Sequence, residues 1–125
     1  MTSILKTVQL SHKYSSSWAI KDINLELNQA GVIGLLGSNG AGKSTTMNII
    51  CGVLNQTEGS VFINGIDLRE DPELAKQNIG FLPQNPPLYT DLTVDEFLTY
   101  TAELGKMEKH TIREAVNEGK EKVGI

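Results

Sequence analysis

Val32-Ile33-Gly34-Leu35-Leu36-Gly37-Ser38-Asn39-Gly40-Ala41-Gly42-Lys43-Ser44-Thr45 decides how the rest of this 125-residue sequence is read. The first five residues are apolar at odd and even positions alike, which predicts a strand covered on both faces inside a parallel sheet. From Gly37 through Ser44 the chain satisfies G-x-x-x-x-G-K-[ST] at every position. Beyond the loop, Met47, Ile50, Cys51 and Leu54 recur at i, i+3, i+4 and i+7, so a helix is expected with those four on its buried face. A glycine-rich loop between a buried strand and a helix start is the setting in which this motif holds phosphate.

Each residue type in the loop answers a physical demand. Converging backbone N–H groups can reach a polyphosphate only where no Cβ intervenes, which gives Gly37, Gly40 and Gly42 their places. Ser38, Asn39 and Ala41 complete the ring of loop amides. The positive end of the following helix points at the same oxygens. Lys43 adds one full positive charge toward the β- and γ-phosphates, Ser44 offers a hydroxyl to Mg2+, and Thr45 is placed to hydrogen-bond the α-phosphate. A plain glycine turn would not require Lys and Ser beside its last Gly.

Working outward, Ile4 to Leu10 reads as a first strand, and Ile23, Leu25 and Leu27 alternate with polar Asn24 and Glu26 as a second. The polar run His12 to Ser17 between them is expected to be turn, with His12 an ordinary surface residue. Downstream, Gly59 to Asn64 alternates as a strand and Asn64-Gly65 marks a turn. Asp71-Pro72 predicts a short helix capped by Asp71. Ile79 to Leu82 reads as a buried strand, and three prolines between Pro83 and Pro87 impose a loop. Thr93 and Glu96 form a capping box for a helix whose expected buried face is Val94, Phe97, Leu98 and Thr101. Glu108 to Val123 is charged, helix-prone and sparse in apolar residues.

Composition narrows the function classes. At 125 residues there is room for one domain and one core. The net charge of −4 is uneven, +1 over residues 1–60 and −5 over 61–125, which argues against a nucleic-acid partner. A single cysteine, Cys51, excludes an intramolecular disulfide and fits a reducing compartment. No apolar run approaches the ~18–20 residues that span a bilayer, so a membrane role would run through a partner.

Taken together the residues resemble the ATP-binding cassette ATPases that drive ABC transporters, over essentially the whole chain. Three features carry the resemblance. The loop Gly37 to Thr45 differs from the family's usual form only at Ser38, where Pro is common. Tyr14, 23 residues ahead of Gly37, corresponds to the aromatic that stacks on adenine in the family. Gln84, 41 residues after Lys43, is similar to the family's glutamine loop, whose amide oxygen reaches Mg2+ and whose flanks meet the membrane subunit. The stretch Leu88 to Glu96 resembles the start of the helical subdomain in cassettes paired with exporters.

The resemblance implies an α/β fold of the P-loop NTPase type, an ABC-type cassette with an amino-terminal antiparallel β subdomain, here truncated. Residues 1–125 would be the amino-terminal part of one nucleotide-binding domain: β subdomain and P-loop core over about 1–87, and the start of the helical subdomain over about 88–125. It implies ATP and Mg2+ as cofactors, with Lys43 and Gln84 in catalytic roles and Ser44 and Gln84 on the metal. The implied partners are a polytopic membrane permease subunit and a second ATPase cassette, dimerised through ATP. The implied place is cytoplasmic, peripheral on the inner face of the cell membrane. The signature loop, the apolar strand ending in Asp-Glu and the later sensing histidine of the family are not found in the 125 residues. Asp95-Glu96 follows a helix cap rather than a strand, so these residues alone are expected to bind ATP weakly and not to hydrolyse it. A soluble ATPase of the same superfamily and a non-catalytic nucleotide-binding domain are the alternatives.

Overall fold

The computed structural model describes residues 3–38 and 40–125, which fall into two compact units, one running to Phe81 and the other from Leu82 to Ile125. Length alone suggested a single core. The two units instead bury separate sets of side chains.

The first unit is built on a four-stranded antiparallel sheet. Its strands are β1 (Leu5–Tyr14), β2 (Ser17–Leu27), β3 (Glu58–Ile63) and β4 (Ile66–Asp67), in the order β2-β1-β3-β4. The amino-terminal antiparallel β subdomain is therefore present. Helix α1 (Lys43–Ile50) and the short helix α2 (Pro72–Lys76) complete the unit. Leu10, Ile49 and Val61 are fully buried and form the core with Ile20 and Ile63. Each such side chain contributes about 1.5–3 kcal/mol relative to exposure.

β1 is central and irregular. Its pairing with β2 shifts between Thr7 and Leu10 and again between Leu10 and His12. Gln9 and Asp22, both at positive φ, are the extra residues at these bulges. At Asn64-Gly65 both residues have positive φ, the geometry of a type I′ hairpin turn.

Several sequence expectations are corrected. Val32 to Leu36 carries no sheet ladder, and Val32, Ile33, Leu35 and Leu36 are exposed. A doubly covered strand needs hydrogen-bonded neighbours, and every strand among the described residues is already committed to the antiparallel sheet. Ile79 to Leu82 is likewise not a strand; Ile79 packs on the core while Phe81 and Leu82 are exposed. His12 to Tyr14 continues β1 and Ser17 opens β2, so the hairpin turn shrinks to Ser15 and Ser16. On α1 the buried positions are Thr45, Thr46 and Ile49, whereas Met47 is exposed. Asp71 stands at the start of α2 but makes no side-chain cap.

In the second unit, α3 (Val94–Leu104) and α4 (Lys109–Lys122) pack on each other. The capping box holds: Glu96 N–H donates to Thr93 Oγ1 at 3.1 Å and Thr93 N–H donates to Glu96 Oε1 at 3.0 Å. Hydrogen bonding of the Glu96 carboxyl to the Thr93 backbone N–H, and secondarily to the Thr93 side chain, holds it below its ordinary pKa. Phe97 and Leu98 are half-buried, but Val94 and Thr101 are exposed, so the buried face of α3 is narrower than its spacing predicts. α4 buries Ile112 and Val116. Asp95 pairs with Lys120 at 2.7 Å. Among the described residues no helix is long and apolar enough to cross a membrane.

Candidate functional site

The loop from Gly37 onward turns into α1 with the Ala41 N–H donating to the Ser38 carbonyl at 3.1 Å. Gly42 stands at the N-cap with φ 94°. A Cβ there would run into Ile20 Cγ2 and the Ala19 carbonyl, so the glycine is demanded by φ and by the close approach of β2. Thr46 makes the first intrahelical bond, its N–H reaching the Gly42 carbonyl at 2.9 Å. Lys43, Ser44 and Thr45 form the opening turn, and no side chain caps it. Their N–H groups and the positive end of the helix are thus left for an outside acceptor, which fits a phosphate.

A recess of about 400 Å3 opens at this point, lined by Ala19, Gly40, Gly42, Lys43, Ser44 and Thr45. Lys43 Nζ donates to the Gly37 carbonyl, which folds the ammonium back over the loop. Ser44 is exposed and Thr45 is buried. The structure therefore gathers Gly37, Ser38, Gly40, Ala41, Gly42, Lys43, Ser44 and Thr45 around one loop and helix start, while Asn39 lies outside the described residues. Mg2+ keeps most of its waters and takes phosphate oxygens, so one hydroxyl such as that of Ser44 suits it better than a protein cage. Groups of three or more His, Cys, Asp or Glu able to hold a metal do not occur among the described residues.

Tyr14 ends β1 and is 53% exposed, with its hydroxyl 3.4 Å from Thr45 Oγ1. Tyr14 and the opening turn of α1 thus meet within the first unit. Gln84 is an exposed residue of a bend in the second unit.

Two placements escape the sequence reading. Ala19 lines the recess because β2 passes under Gly42, a long-range approach with no local mark in the sequence. His12 is buried at 8% exposure rather than on the surface, because β1 runs four residues further than its apolar pattern. Cys51 is half-buried just past α1, and burial raises its thiol pKa.

Residues 20–124 match the family described as ABC transporter. Over 122 residues the chain is 34% identical to the uncharacterized ABC transporter ATP-binding protein YxlF of Bacillus subtilis, covering 98% of this chain and 40% of that one. It is 38% identical over 106 residues to the lipopolysaccharide export system ATP-binding protein LptB of Haemophilus influenzae, covering 83% and 44%. Among solved structures it superposes on cbiO1 from Clostridium perfringens, part of the ABC transporter complex cbiONQ, with TM-score 0.79 and 27% identity. That match covers 100% of this chain and 52% of the other. The chain thus spans between 40% and 52% of the length of these three proteins.

Proposed function

The chain belongs to the ABC transporter family, and from that premise we propose that its phosphate loop binds the triphosphate of ATP, with Mg2+, as the ATP-binding part of a transporter ATPase. The observation that carries this reading is the uncapped opening turn of α1 behind Gly42, with the Lys43 ammonium folded over the loop. In the proposed complex the amides of Gly40 to Thr45 receive phosphate oxygens, and Lys43 exchanges the Gly37 carbonyl for one of them by side-chain rotation. Ser44 is the proposed Mg2+ ligand on the loop, and bound Mg2+ would neutralise charge developing on the phosphates. Tyr14 is the proposed platform for adenine.

For the whole protein we propose ATP hydrolysis coupled to movement of a polytopic membrane permease subunit at the cytoplasmic face, with a second cassette across the bound nucleotide. The complex in which cbiO1 takes part supports a membrane partner. Export is the proposed direction, supported by the exporter-like stretch Leu88 to Glu96 and by the export system after which LptB is named. We assign residues to about 87 to the β subdomain and P-loop core, and those from about 88 to the start of a helical subdomain. Calorimetric titration of the 125-residue chain with Mg-ATP tests the core of the reading. Saturable binding displaced by inorganic triphosphate is expected, and heats no larger than dilution up to millimolar nucleotide would refute it.

A further inference from the structure

Tyr14 is an exposed aromatic at the end of a strand, a position from which a ring usually samples several rotamers. Its surroundings restrict it. His12 and Tyr14 are two apart on β1, which in a strand places their side chains on the same side. Their ring centroids are 4.7 Å apart with planes at 81°, an edge-on contact of the kind aromatic quadrupoles favour. His12 itself is anchored. It is 8% exposed, and its Nδ1 lies 3.3 Å from Thr57 Oγ1. Thr57 is in turn tied to β1 on both sides of His12: its N–H donates to the Ser11 carbonyl at 3.0 Å, and its Oγ1 accepts the Lys13 N–H at 3.1 Å. At the other end, the Tyr14 hydroxyl meets Thr45 Oγ1 in the opening turn of α1.

We infer that His12 is a positioning residue for the nucleobase: held by Thr57, its imidazole fixes the Tyr14 ring beside the phosphate loop in the attitude on which a purine stacks. The inference rests on the ATP-binding reading above. Its physical content is preorganisation. A ring already immobilised loses little freedom when a base is laid on its open surface, so more of the stacking attraction appears as affinity. The phosphates are held by other groups, so His12 acts on the base portion of the ligand and not on the polyphosphate.

The test compares Mg-ATP with inorganic triphosphate by calorimetry on the 125-residue chain and its variants, with thermal melts alongside. Tyr14→Ala is expected to weaken ATP by about tenfold and leave triphosphate unchanged. His12→Ala is expected to weaken ATP by about threefold or more, again sparing triphosphate, and to add nothing in the Tyr14→Ala background. Because His12→Ala removes a buried side chain, two conservative variants separate positioning from folding. His12→Phe keeps a ring against Tyr14 and should retain most of the ATP preference. His12→Gln keeps a hydrogen-bonding group toward Thr57 without the ring and should lose it. Equal loss of ATP and triphosphate in the His12 variants, or equal ATP affinity for Phe and Gln, would overturn the inference while leaving the ATP reading intact. If Tyr14→Ala itself does not change the ratio of ATP to triphosphate affinity, the base platform fails and the role of His12 fails with it.

Discussion

Gly59 on β3 lies against the carbonyl of Gln9 on β1, so close that a Cβ on Gly59 would run into the Gln9 carbonyl group and the Val8 oxygen. Gln9 is the bulged residue of the central strand, with φ 47°, and its N–H donates to Asn24 Oδ1 at 2.8 Å. Gly59 has φ 89°. The bulge and the glycine opposite it therefore form one device that bends the strand carrying His12 and Tyr14.

Gly59→Ala meets backbone atoms on β1 and takes on an unfavourable φ, and neither atom set is a side chain that can move aside. The first unit is expected to lose roughly 2–4 kcal/mol of stability, judged by urea unfolding at constant m-value. A loss below half a kcal/mol would mean that the strands relax around the bulge.

The capping box on α3 gives a pH-dependent contribution with a definite sign. Glu96 is held below its ordinary pKa by hydrogen bonds to Thr93 that its ionised form accepts. The contribution is present above the ordinary carboxylate value and disappears as the pH falls through the lower folded-state value. Glu96→Ala should therefore lower helicity and melting temperature at pH 7, with the gap from the parent chain narrowing by pH 3. A gap that widens in acid would contradict the assigned role of Glu96.

How much of this was legible in advance depends on how local each signal is. The helix start behind Gly42, the Asn64-Gly65 turn and the Thr93/Glu96 box are each written within a few consecutive residues, and each stands where its sequence indicated. Val32 to Leu36 and Ile79 to Leu82 were misread because an apolar run reports that a segment favours cover, not that a strand is available to pair with it. The bulges at Gln9 and Asp22 have no marker in the sequence, since neither residue is glycine. Their cost was hidden, and so was the burial of His12 on the strand they bend. Met47 was placed on the wrong side of α1 because the helix buries two threonines, residues that a hydrophobic pattern leaves out.

Exposure of Val32, Ile33, Leu35 and Leu36 leaves contiguous apolar surface on the first unit. Such a patch favours association. Light scattering of the 125-residue chain is expected to show mass rising with concentration, and Val32→Asp with Leu36→Lys should suppress the rise. A monomer at all concentrations, or association unaffected by the double substitution, would show that this segment is covered in solution.

Burial raises the Cys51 thiol pKa, so a smaller fraction is thiolate at a given pH than in a free cysteine. Alkylation by iodoacetamide at pH 8 should be several-fold slower than for the unfolded chain. Equal rates in the folded and urea-unfolded protein would show that the thiol is not shielded.

The central claim is that the loop ending in Gly42-Lys43-Ser44 holds the triphosphate of ATP, and Lys43 is the one full positive charge on that loop. Calorimetric titration of Mg-ATP into Lys43→Ala, beside the parent chain, tests it most directly. The account predicts that affinity falls by at least about tenfold, ~1.4 kcal/mol, with the fold preserved; an unchanged affinity would contradict it.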